Sequence, residues 1–130
     1  MAADAFVAST VFGSVVATRE NVDGEPFGVK LPISVPAGLV AGWGSGLSAP
    51  WPMPALAMIA ATRPGRTSGR VCAAIGAGVI VGTLIEPVTW RRTSLLAHIA
   101  MLCNLLAGGA LLHEGMRAQS RLGESNPAYC

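Results

Sequence analysis

The sequence predicts an all-α fold, a small polytopic bundle of transmembrane helices with three or four spans, the second broken by prolines. The main observation is a pair of long apolar runs, residues 71–90 and 95–113, on either side of the polar break Arg91-Arg92-Thr93-Ser94. At about 1.5 Å of rise per residue, each run is just long enough to cross a hydrocarbon core of about 30 Å. Composition points the same way. Only 12% of residues are charged and mean hydropathy is +0.53, where soluble domains carry roughly 25% charge. Glycine is abundant at 16 residues and aromatics are few at 5%, which suits helices held by close backbone approach.

The length of 130 residues accommodates one membrane-embedded domain, residues 1–130. Its net charge of +2 comes with scattered arginines. No basic stripe is interleaved with aromatics, so no nucleic-acid partner is expected.

Residues 1–18 are small and apolar with Asp4 as their one charge, and β-branched Val7, Thr10, Val11, Val15 and Val16 recur through them. They lack the basic start of a signal peptide, so no cleavage is expected. The run after Asp4 is short for a span. It predicts a thin or tilted first helix, with an interfacial helix or a strand-like segment as the alternatives. Residues 19–30 form a polar loop, with Arg19, Glu20, Asp23, Glu25 and Lys30 nearly cancelling and turn signals at Asp23-Gly24 and Pro26. They are taken as a solvent-exposed connection without chemistry.

Residues 31–62 carry no charge. Pro32 and Pro36 lie at the start, and Pro50, Pro52 and Pro54 predict a break near residues 49–54, because proline lacks the backbone donor and clashes with the preceding turn. Before the break, Gly38, Gly42 and Gly46 make two overlapping GxxxG steps, one smooth face if helical. Trp43, Trp51 and Trp90 are candidate interfacial anchors. The basic loop 63–70 holds Arg63, Arg66 and Arg70 without an acid. With Arg117 and Arg121 it predicts a cytoplasmic side by the positive-inside rule, against Arg91 and Arg92 outside. The chain is therefore expected in the plasma membrane, multi-pass, with both termini cytoplasmic. Residues 117–130 are read as a polar tail, expected to fray after Gly123.

The candidate site lies in the apolar pair of runs. Ala74, Gly78 and Gly82 are four apart and lead to Glu86, so the carboxylate continues a small-residue face toward a neighbouring helix. Pro87 follows, leaving backbone groups near Thr83 and Glu86 in need of partners. His98 lies about as far from the turn as Glu86, and Asn104 sits mid-run, where an interhelical hydrogen bond is expected. An ionisable side chain within a span is by default a functional candidate. Glu86 is read in two ways, as an ion-pair partner of Arg91 or Arg92, or as a ligand, proton or catalytic group. His98 is either a structural histidine or the hydrogen-bond mate of Glu86.

Glu86, His98, Asn104 and Thr83 are thus the ligand- or proton-site candidates, and Gly38, Gly42, Gly46, Gly78 and Gly82 the helix-packing residues. No P-loop, nucleophile elbow or HExxH occurs, so no catalytic residue is assigned. Cys72, Cys103 and Cys130 form no CxxC and no Cys/His cluster at ligand spacing, so neither metal nor cofactor is expected. The expected partners are the lipid bilayer and a second copy or another membrane protein. Two functions follow: a site around Glu86 that binds or moves a lipophilic or cationic small molecule, or a non-catalytic subunit or assembly factor docking through its glycine faces.

Overall fold

A computed structural model describes residues 1–25, 28–29, 32–63, 65–91 and 94–124, and its regular elements are all helical. They are α1 (Ala2–Arg19), α2 (Val35–Ala41), α3 (Pro52–Ala61), α4 (Arg66–Ile85), α5 (Pro87–Trp90) and α6 (Leu95–Glu124). Among the described residues, two helices are long and apolar enough to cross a membrane: α4, and α6 over Leu95–Arg121.

The antiparallel pair of α4 and α6 is the widest interface, and glycines set its closeness. A Cβ on Gly76 would lie 2.5 Å from the Gly108 carbonyl oxygen and from the Leu112 nitrogen. One on Gly115 would lie 2.5 Å from the Gly69 carbonyl oxygen. Backbone therefore touches backbone at two levels, seven residues apart on each helix. Gly78 and Gly82 do not take part, since a Cβ on either would meet nothing within 4 Å. The stripe spaced by four is real, but it faces open space. The contact uses the opposite side of α4, because about 100° per residue turns Gly76 and Gly78 some 200° apart.

α1 lies antiparallel to α6. Val16 and Ala17 cluster with Ala97, Ala100 and Met101, while Ala2, Ala3 and Phe6 cluster with Ala107 and Leu111. Its buried face (Ala3, Phe6, Thr10, Gly13, Ala17) follows the helical period. The helix closes at Asn21, φ 50°, with the Val22 N–H bonded to the Ala17 carbonyl at 2.8 Å, a Schellman stop in which asparagine takes the left-handed position.

Residues 35–61 run between α1 and α4 as two short helices around an irregular turn. α2 ends at Gly42, whose φ of 100° favours glycine, and the Trp43 N–H bonds back to Gly38 at 2.7 Å. Gly38, Gly42 and Gly46 thus share no helix face: the first lies in α2, the second caps it, and the third sits in the turn. The break is earlier and wider than the prolines alone suggest, and Pro52 opens α3 in its first turn, where no amide donor is needed.

The other bounds also shift. Residues 66–70 belong to the first turns of α4 rather than to a loop, and the polar tail is helical from residue 117 to Glu124, one residue past Gly123. The Gly69–Gly115 contact explains both, since it extends the packed interface into these polar turns.

Alanine separates the two glycine faces. Gly76→Ala should destabilise by about 1–3 kcal/mol through overpacking, whereas Gly78→Ala should be neutral or stabilise by up to about 1 kcal/mol from helix propensity. Thermal unfolding of the two purified variants measures the difference, and equal effects would remove the assigned contact.

Candidate functional site

Pro87 stops α4, because it offers no N–H to the Thr83 carbonyl and its ring clashes with that turn. The residue before a proline is driven out of the helical region, and Glu86 sits at φ −70°, ψ 127°. Two freed carbonyls find side-chain donors in the next turn. Thr89 Oγ1 donates to Thr83 O, and Trp90 Nε1 donates to Leu84 O at 2.8 Å. Ser94 then starts α6, accepting the Ala97 N–H at 3.1 Å and donating to Glu20.

Glu86 is buried, at 4% exposure. Its Oε1 accepts the backbone N–H of Glu25. Arg91, an expected partner of Glu86, is taken by Glu25 instead, with Nη1–Oε1 at 3.2 Å and Nη2–Oε2 at 3.1 Å. This two-pronged pairing suits a planar guanidinium. Arg92 lies outside the described residues. Among those described, no ion pair involves Glu86.

The loop that carries Glu25 is folded inward rather than exposed. The Gly24 carbonyl accepts Trp43 Nε1 at 3.0 Å, and Gly24 lies so close to the Gly44 carbonyl that a side chain would not fit. Residues 22–25 therefore strap the α2–α3 turn to the end of α4. Glu25 was missed because its loop looks like a balanced polar connection, and only the Asp23-Gly24 turn marks it locally.

Below Glu86 on α4, Thr83 meets Asn104 of α6, with Asn104 Nδ2 donating to Thr83 Oγ1 at 3.0 Å. Both are buried. A cavity of about 320 Å³ opens beside them, walled by the Gly78, Gly82, Thr83 and Glu86 side of α4, by Asn104, and by the turn containing Ser45 and Ser48. Ser48 anchors that turn: its Oγ lies 3.0 Å from Ser14 Oγ and 3.1 Å from the Thr10 carbonyl. Gly13 admits the Leu47 carbonyl against α1.

The structure thus brings Glu86, Thr83 and Asn104 to one cavity, with Gly78, Gly82 and Gly42 on its wall. His98 stays outside it. That side chain is exposed, and Nδ1 lies 2.8 Å from the Ser94 carbonyl of its own helix. Equal distance from the turn did not make it a mate of Glu86, because the α5 turn and the strap intervene. Ser45 and Ser48 were also missed, hidden in a segment read as a helix.

The Glu25–Arg91 pair should hold the strap. Arg91→Ala removes the two-pronged partner of a buried carboxylate and should cost about 1–3 kcal/mol, and adding Glu25→Gln should recover part of that loss. Thermal unfolding of the single and double variants measures the coupling, and a neutral Arg91→Ala would show the strap to be held by other contacts.

No protein-family model, curated protein or solved structure matches this chain.

Proposed function

We propose that this chain is a four-pass membrane bundle that binds a small lipophilic or cationic molecule in the cavity beside Glu86. Support for the membrane comes from surface chemistry. Only 22% of the apolar window of α4 and 39% of that of α6 is buried, and Leu95 and Leu106 are 77% and 65% exposed. Soluble monomers rarely leave large contiguous apolar patches bare. α1, the broken segment 35–61, α4 and α6 would be the four passes. Irregular backbone at membrane depth is tolerated where it is buried in protein or lines a cavity, and the 42–51 turn does both. Arg63, Arg66, Arg70, Arg117 and Arg121 gather at the end where Met1 and Ala3 border a hollow with Arg63 and Glu114. The positive-inside rule puts that end, and both ends of the described chain, in the cytoplasm.

The observation that carries the binding role is the cavity wall. It combines the open glycine face of α4 with a buried carboxylate that no described basic side chain neutralises. Its volume lies at the small end of the range of ligand pockets. A docking subunit has less support, because Gly38, Gly42 and Gly46 do not share a face and Gly78 and Gly82 line the cavity.

Two experiments test this reading. Single cysteines at Thr18 or Asn21, in a chain with its native cysteines replaced, should label from outside intact cells, and cysteines at Thr67 or Ser120 should label only after permeabilisation. The reverse pattern would invert the orientation. For the cavity, Gly82→Phe has room for its ring and should fold with a melting temperature near that of the parent. It should nevertheless abolish the thermal stabilisation given by phenethylammonium or phenethyl alcohol, since a ligand stabilises only the state that binds it. Unchanged stabilisation would place any binding elsewhere.

A further inference from the structure

One end of the molecule carries cations that no described side chain pairs with. We infer that this end is a binding surface for anionic lipid, whose phosphates its arginines hold, an inference that rests on the chain spanning a bilayer and not on the cavity. Near Glu86, at the opposite end, charged side chains are tied to the chain itself: Glu25 takes Arg91 in two contacts, and Glu20 accepts Ser94. Arg63, Arg66, Arg70, Arg117 and Arg121 are all exposed, and among the described residues no hydrogen bond or ion pair engages any of them. Three acids share their end. Asp4 is held by the Met1 amine at 2.9 Å, Glu114 borders the hollow with Arg63, and Glu124 is the last residue of α6.

The depth of the arginines selects the partner. Counted from Leu95, where α6 begins, about 20 residues at 1.5 Å each cover a hydrocarbon core of about 30 Å and reach Gly115. Gly69 packs against Gly115, so Arg70 stands at nearly the same level. Arg117 and Arg121 follow about 3 and 9 Å further out, and Arg66 lies about one turn beyond Arg70. Their long side chains therefore sit in or beside a headgroup layer about 5–7 Å deep. Arg66 and Arg70, like Arg117 and Arg121, are four residues apart, a spacing at which like charges destabilise a helix. The first turn of α4 holds no acid, although the helix dipole favours one there and disfavours Arg66. An anion between the guanidinium groups relieves both costs. A lipid phosphate does so with two parallel N–H bonds from one guanidinium. The hollow of about 240 Å³ at this end is lined by Arg63, Ser68 and Glu114 together with Ala60, Leu111 and Ala118. Cationic and apolar lining in one hollow suits a phosphate joined to hydrocarbon better than a free phosphate ion.

The test reconstitutes the full chain in phosphatidylcholine vesicles with a trace of lipid spin-labelled on its acyl chain, either phosphatidylglycerol or phosphatidylcholine. Electron spin resonance then measures the motionally restricted lipid at the protein surface. Phosphatidylglycerol should associate several-fold more strongly than phosphatidylcholine, whose choline cancels the phosphate charge. Glutamine at all five positions (Arg63→Gln, Arg66→Gln, Arg70→Gln, Arg117→Gln and Arg121→Gln) should bring the two lipids to near parity. Arg19→Gln, at the opposite end, should leave the preference unchanged. About 1 M salt shortens the screening length to about 3 Å and should shrink the preference in the parent chain. Equal association of the two lipids with the parent would overturn the inference and leave the membrane reading standing. So would a preference kept by the folded fivefold variant or, where that variant does not fold, one undiminished by salt. An equal fall with Arg19→Gln would also overturn it, since the preference would then follow total charge rather than this end. No restricted lipid of either kind would remove the membrane reading as well.

Discussion

Contact between the backbones of α4 and α6 sets the position of everything else. Gly69 lies against Gly115 and Gly76 against Gly108. Lipid tails are as apolar as leucine, so within a bilayer such an interface has to be held by van der Waals packing rather than by hydrophobic exclusion. Once the two helices are locked at these levels, Thr83 comes opposite Asn104 and Glu86 follows one turn further on. Alanines do the same for α1 along another side of α6, through Ala97, Ala100 and Ala107. The broken segment packs between α1 and α4, with α3 touching both.

That irregular backbone is viable because its polar groups find partners within the protein. Ser45 and Ser48 exchange backbone hydrogen bonds at 3.0 Å, and the Trp51 N–H reaches Leu39 O at 3.0 Å. Two indole N–H groups are spent on backbone carbonyls, Trp43 on Gly24 and Trp90 on Leu84. Trp43 thereby ties the strap to the turn, while Trp90 satisfies a freed carbonyl with its ring still 74% exposed. Among the described residues three buried side-chain oxygens lack a hydrogen-bond partner, Ser9 Oγ, Ser45 Oγ and Asn104 Oδ1.

Helical class, the apolar hairpin and a proline break were all legible in the sequence, because each rests on local chemistry: run length, hydropathy and the missing amide of proline. Glu86, Thr83 and Asn104 were legible as polar exceptions in apolar runs. What could not be read depends on tertiary contact. Gly42 looks identical as a helix-face residue and as a left-handed cap, and only the turn that follows it decides. Glu25 is one acid among balanced charges until the strap folds. His98 matches Glu86 in distance from the turn, but a linear count ignores the four residues of α5. The last turns of α6 are polar and read as tail, yet Gly115 anchors the helix there.

The two glycine faces of α4 sharpen the functional argument. A glycine in a helix interior is destabilising by about 0.5–1 kcal/mol relative to alanine. At Gly69 and Gly76 the close approach of α6 offsets that cost, because any side chain would push the backbones apart. At Gly78 and Gly82 nothing is gained in packing, since a Cβ would meet no atom within 4 Å. Stability alone would favour alanine or a larger apolar residue at both positions. What glycine preserves there is volume, the open side of the cavity that ends at Glu86 and Asn104. That space, kept at a cost in local helix stability, is the volume the proposed ligand would occupy.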